Sequence, residues 1–403
     1  MKKSLKRIYL IVPRLIEQPT WGGNYIANFK GWGKGKSFSN FKIGQSYELT
    51  SNSNLHPNIS DSNSSKFNPE LVMAKNRKEF LYSGNKNELM NLNELIRVNP
   101  RLALGKNALE KHGQKVKILI KFTQAKGNSY QLHVRKKDEN RKWLFKPESW
   151  YFFEPGLLTL GVKDLNKIKL FKNTCLNILK QMSYISDKIK KKEISLKDGR
   201  KKSEEVVKNY NPQQFVNLVK ANKNDLIDLS LGGIHHSWEE PKAINPKGNI
   251  VYEVQLDIKD KQSTLRCFDQ GKIKNDGSIR NLNIKEYFKY INKEEASNIP
   301  ENHFLKPKTL FEKLENKGER LLNTNDYTME KIYFKNKLSN NLNRTNNSYQ
   351  HLFVQKGEVR VESENSHVIL TQGHSCFIPA VVSKYNLVSN KSQSEVLKTY
   401  VSK

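Results

Sequence analysis

Cysteine is scarce in this chain. The three present, Cys175, Cys267 and Cys376, stand far apart and form no Cys-x-x-Cys pair. That spacing excludes zinc fingers and a disulfide framework, and a reducing cytoplasm is the expected compartment. Long apolar runs are also missing. No stretch approaches the roughly 20 apolar residues of a membrane span, so a soluble protein with no membrane partner is expected. The basic N-terminus begins like a signal peptide, but its apolar run at residues 8–12 is too short and closes at Pro13-Arg14 without a small-residue cleavage site. Acidic residues are outnumbered, 40 against 70 Lys and Arg, which leaves a net charge of +30. Such an excess ordinarily raises nucleic acid as a partner. Here the lysines are dispersed along the whole chain among asparagines, with no nucleic-acid-reading motif. They read as a solvated basic surface that favours small anionic ligands by steering, with no nucleic-acid partner.

Against these absences stands a scatter of four potential metal ligands in strand-like sequence. Gln131 and His133 are two apart, so on a strand they point to one face and could hold one ion together. Glu148 lies in the aromatic-rich run Lys146-Pro147-Glu148-Ser149-Trp150-Tyr151. His235 follows Leu231-Gly232-Gly233-Ile234, where glycines let the backbone turn, and His236 beside it is an alternative ligand. Two imidazoles, a carboxylate and an amide oxygen suit Zn2+ in a site open to water or substrate, whereas structural zinc sites are thiolate-rich. The plain alternative is a surface Gln-x-His pair, a solvated carboxylate and ordinary loop histidines.

The surroundings of these residues decide between the two readings. Trp21-Gly22-Gly23, Ile43-Gly44-Gln45-Ser46-Tyr47-Glu48-Leu49-Thr50, Lys121-Phe122-Thr123-Gln124-Ala125 followed by Ser129-Tyr130-Gln131-Leu132-His133, Phe145-Lys146-Pro147-Glu148, Gly232-Gly233-Ile234-His235-His236, and Leu265-Arg266-Cys267-Phe268-Asp269 occur in this order. Together they resemble the motifs of the type I phosphomannose isomerases (mannose-6-phosphate isomerases), zinc-dependent enzymes of the cupin superfamily. The resemblance runs over about residues 13 to 285. It implies a zinc-dependent aldose–ketose isomerase that interconverts mannose 6-phosphate and fructose 6-phosphate, with Gln131, His133, Glu148 and His235 on the metal. Arg266 and Lys146 are then the catalytic candidates, and Ser129, Lys121 and Lys272 the candidates for binding a sugar phosphate.

Several positions depart from the family pattern. Val134 stands in place of Pro, Gln45 of Glu, Phe145 of His and Lys272 of the second Arg. The family's Ser-Asp before the arginine is not cleanly present; either Asp257 or Asp260 stands in for the missing acid, or nothing does. For Arg266 the structural alternative is a salt bridge to Asp269 or Glu253. A divergent working enzyme explains the sequence better than a dead one, since all four ligand types survive together. The competing readings are a cupin isomerase for another phosphorylated sugar and a non-catalytic sugar- or metal-binding cupin, which could lose Arg266 without consequence.

The expected fold is mainly β, with cupin (jelly-roll) β-barrels and helical insertions. Strand patterns cover residues 116–122, 130–134, 149–153, 225–229, 251–256 and 264–268. Helical inserts are expected at about 67–113 and 163–219, the second carrying a basic run at 188–202 broken by Asp198-Gly199. Residues 294–326, with Pro300 and Pro307, read as a connection. The catalytic cupin domain then spans 1–330, and 331–403 forms a non-catalytic cupin-like module, because His351, His367 and His374 lack a clear carboxylate partner.

Overall fold

The computed structural model describes residues 4–32, 41–64, 67, 79–80, 88–238, 245–340, 348–389 and 393–403. The chain is mainly β, built on antiparallel sheets of cupin-like type with helical insertions. It divides into two compact units. One comprises residues 1–124, 252–257 and 305–403, and the other residues 125–251 and 258–304.

In the first unit a nine-stranded sheet runs in the order Lys308–Lys313, Asn316–Asn323, Tyr327–Phe334, Ser394–Val401, Gln350–Lys356, Ser375–Ile378, Tyr9–Val12, Asn54–His56 and Met90–Asn91. A four-stranded sheet accompanies it, in which Val359, Val361, Val368 and Leu370 are buried at alternate positions. Gly357, at φ +86, turns the chain from one sheet to the other, and a Cβ there would lie 2.5 Å from Ser394 Oγ. The boundary expected at residue 330 does not coincide with these units. It falls inside the strand Tyr327–Phe334, and the N-terminal strand Tyr9–Val12 pairs with Ser375–Ile378. The stretch read as a connection holds two short 3-10 helices and the hairpin of Lys308–Lys313 with Asn316–Asn323.

The first insert, where described, folds into three short helices, Leu92–Val98, Pro100–Leu104 and Lys106–His112. Asn91 and Glu94 form a reciprocal capping box at the first, and Asn99 caps the second, with Pro100 at its opening position. Residues 68–78 and 81–87 of the expected insert, with Leu71 and Leu81, lie outside the described residues.

In the second unit the sheet that matters is five-stranded, in the order Val216–Ala221, Gly156–Val162, His235–Ser237, Tyr130–Leu132 and Leu265–Phe268. Its outer face is covered by the insert. Phe171, Cys175, Ile178, Met182 and Ile185 recur at steps of three and four along the helix Ile168–Lys190 and are buried in one core with Tyr130, Leu132, Leu265, Cys267 and Phe268. Each such side chain, fully buried, contributes about 1.5–3 kcal/mol. The second helix, Leu196–Tyr210, is capped by Ser195 and runs straight through Asp198-Gly199. Gly199 is there for close packing, since a Cβ would lie 2.4 Å from Ile189 Cδ1. The insert ends earlier than expected. Residues 216–219 belong to an edge strand whose Leu218 is exposed, and that exposure disguised the strand as helix.

Candidate metal centre

The centre is a product of strand register. Leu160 stands opposite His235, His235 opposite Gln131, and Gln131 opposite Arg266. Directly opposed residues of antiparallel strands share a face. These four side chains therefore line one face of the sheet, while Tyr130, Leu132 and Leu265 occupy the insert-covered face. His236, one residue on from His235, sides with the latter. It meets Gln270 Nε2 at 2.8 Å and Thr159 Oγ1 at 3.4 Å, and its ring packs edge-on to Tyr130 and Trp238. His235, not His236, is the residue presented with Gln131.

Glu148 comes from the strand Glu148–Phe152, which pairs with Leu226–Asp228. Its side chain is buried and divides its two oxygens between different partners. Oε1 accepts the indole N–H of Trp150 at 2.8 Å. Oε2 lies 3.0 Å from His133 Nε2 and 2.8 Å from Lys146 Nζ. The other nitrogen of His133, Nδ1, is 2.7 Å from the carbonyl oxygen of Ser263. A carbonyl can only accept, so Nδ1 carries a proton, and in the neutral ring that burial favours, Nε2 has none to give the Glu148 oxygen it faces. The His133 and His235 rings are 4.9 Å apart, and neither ring nitrogen of His235, though buried, has a hydrogen-bond partner.

Protonation follows from this packing. Burial, with His133 next to it, pushes His235 down to about 3. Burial and then Lys146 lower His133, against the pull of Glu148. For Glu148 burial opposes ionisation, but Lys146, His133 and His235 overcome it and hold the carboxyl well below the usual carboxylate range. Two neutral imidazoles and an ionised carboxylate are the states a metal requires of its ligands. Potential ligand atoms of His133, Glu148 and His235 all lie within 4.8 Å of one another, and no other such group of His, Cys, Asp or Glu occurs among the described residues. A lone pair facing a carboxylate, beside an imidazole with no partner, is a cradle for a cation. The donor set fits a zinc ion, with the Gln131 amide in register beside it.

The remaining predicted residues fall into two groups. Arg266 is held from three sides: Nε donates to Ser129 Oγ at 3.0 Å, Nη2 bonds Asp260 at 3.0 Å, and Nη1 reaches the Thr264 carbonyl at 3.4 Å. Partial burial opposes ionisation of Asp260, but Arg266, helped by Lys146, brings its carboxyl down to about 2. Of the two candidate acids, Asp260 is the one paired with Arg266. Asp257 belongs to the first unit and accepts from Ser51. The expected structural partners of Arg266 are engaged elsewhere, Asp269 with Arg280 and Glu253 with Lys121. Lys272 donates to the Gly127 carbonyl at 2.7 Å, close in sequence to Ser129. Lys121 is the exception among the site candidates. It belongs to the first unit, where its ammonium is 2.6 Å from Glu253. The sequence reading missed Trp150 and the Ser263 carbonyl. A tryptophan two residues beyond a strand carboxylate was the available signal for the first, and nothing in the sequence marked the second.

No protein-family model matches the chain, and no curated protein matches it in sequence. Solved structures do match. The mannose 6-phosphate isomerase of Bacillus subtilis superposes with a TM-score of 0.63 at 14% identity, covering 97% of this chain and 99% of that one. A mutant form of the phosphomannose isomerase from Salmonella typhimurium gives 0.63 at 13%, covering 98% and 100%. A zinc-bound mannose 6-phosphate isomerase gives 0.60 at 12%, again covering 98% and 100%. The chain has the fold of these isomerases. At such identities the likeness establishes the fold alone, and the chemistry rests on the side chains described above.

Proposed function

We propose that this chain is a zinc-dependent aldose–ketose isomerase that interconverts mannose 6-phosphate and fructose 6-phosphate. The observation that carries the reading is the convergence of His133, Glu148 and His235, with Gln131 and Arg266 in register on the same sheet face. Zinc bound by His133, Glu148, His235 and Gln131 would polarise and orient the oxygens of the open-chain sugar. The reaction moves a proton between C1 and C2 through an enediolate, which needs a proton carrier, a fixed positive charge and a clamp for the phosphate.

Lys146 supplies a proton-bearing group at the centre, its Nζ kept in place by Glu148. The guanidinium of Arg266, oriented by Ser129 and Asp260, stabilises the enediolate oxygen, and its bonds to these residues fix it before substrate arrives. Ser129 accepts from Arg266 and keeps its own hydrogen to donate to an anion. Lys272 adds a cation near it. The second reading is a metal-binding cupin without catalysis, and one observation favours it: each nitrogen of Arg266 already bonds a protein partner, as in a structural arginine.

A coupled assay of the purified protein with mannose 6-phosphate, with and without chelator, separates the two. Turnover that is lost to the chelator and restored by zinc supports the isomerase. Protein that is fully loaded with zinc yet shows no isomerisation of this sugar or of other hexose phosphates leaves the binding reading.

A further inference from the structure

The centre contains a residue to which neither the proposed chemistry nor the fold assigns a role. Trp150 is buried two positions beyond Glu148 on the same strand, so both side chains point to the same face. Its indole N–H takes Oε1 of Glu148 at 2.8 Å, while its ring stands at 89° to the ring of His235, 5.6 Å between centroids. Ile227 lies opposite it on the paired strand, and Leu158, Leu160 and Ile227 share its core, which locks the indole in place. One side chain thus touches two of the three proposed ligands, through a directed hydrogen bond and a perpendicular ring contact.

We propose that Trp150 is a positioning residue of the metal centre, which occupies Oε1 of Glu148 so that Oε2 alone is offered to the ion and sets the plane of the His235 ring. The proposal rests on the metal reading given above and adds to it the selection of one carboxylate oxygen. A carboxylate free at both oxygens can rotate or chelate through both. One whose first oxygen is tied to an indole cannot do so without leaving a buried donor unpaired. The bond also explains why Lys146 and His133 both approach Oε2, the only oxygen left to them.

Zinc affinity measured by competition against a colorimetric chelator tests this on Trp150→Phe, which keeps an aromatic ring and removes the N–H. Residues that support metal ligands in this way typically contribute about 10–100-fold to affinity, so the dissociation constant should rise at least tenfold. An affinity within twofold of wild type overturns the proposal while leaving the metal site intact. A wild-type chain that takes up no zinc overturns the metal reading and this proposal with it. Should the variant not fold, the wild-type protein answers the question. The chain has five tryptophans, so the 15N indole resonance of Trp150 is assignable by elimination from Phe variants at Trp21, Trp32, Trp143 and Trp238. It should shift as zinc is titrated to one equivalent, and a resonance unmoved by a saturating titration contradicts the proposal.

Discussion

Both units bury carboxylates against lysines, and the Glu48–Lys30 pair of the first differs from the Glu148–Lys146 pair of the second in what surrounds it. In the first unit Glu48 meets Lys30 Nζ at 2.7 Å and accepts from Ser46 Oγ at 2.6 Å and Ser375 Oγ at 2.9 Å. Lys30 in turn donates to the Gly373 carbonyl and lies over the Trp32 and Phe353 rings. Every neighbour of that carboxylate is a donor, so the cluster is satisfied as it stands. In the second unit Glu148 has a lysine and an indole N–H, but its remaining neighbour is an imidazole lone pair, and a second imidazole beside it has no partner. Both pairs are buried. What separates a structural ion pair from a site that calls for a cation is the balance of donors and acceptors.

The comparison is most forcefully broken at Glu48. Removing one member of a buried ion pair leaves an uncompensated charge, typically at a cost of about 3–5 kcal/mol. Glu48→Ala should therefore lower the denaturant midpoint sharply while the folded fraction keeps its zinc. Loss of zinc with stability intact would show that the two clusters are not independent.

Arg266 sharpens the catalytic side. Loss of one preorganised donor to developing charge costs about two to three orders of magnitude in rate, or about 2.7–4 kcal/mol. Arg266→Ala should stay folded and zinc-loaded and lose that much turnover. Near-normal turnover would keep the enzyme and discard the role given to this residue.

A smaller effect concerns pH. Burial lowers His133 and His235 in the folded chain, the latter to about 3, whereas in the unfolded chain they titrate near 6.5. As pH falls below about 6.5 the unfolded state takes protons that the folded state refuses, so stability falls with falling pH and is recovered above that value. With chelator present, each such histidine contributes a slope of up to about 1.4 kcal/mol per pH unit. His235→Asn should flatten the stability profile between pH 6.5 and 4, and an unchanged slope would mean that His235 is charged in the folded protein.

Much of the centre was legible because it depends on local pattern. Gln131 and His133 alternate on a strand, Lys146 and Glu148 do the same across a proline, and glycines precede His235. What escaped depends on partners distant in sequence. Nothing near Tyr9–Val12 announces that it pairs with Ser375–Ile378, so the boundary at 330 was drawn through a sheet. Asp260 could not be chosen over Asp257 without seeing which one the chain brings to Arg266. Lys30, one lysine among many in a strongly basic chain, gave no sign that it is buried on Glu48. Trp150 read as one aromatic of a strand core, although its N–H serves a carboxylate two residues away.

The most direct measurement is the metal content of exhaustively dialysed protein, determined by elemental analysis of the wild type beside His133→Ala and Glu148→Ala. The account predicts about one zinc per chain in the wild type and near zero in both variants, with each variant still folded by circular dichroism. Undiminished zinc in both folded variants would contradict the assignment of the centre to His133, Glu148 and His235.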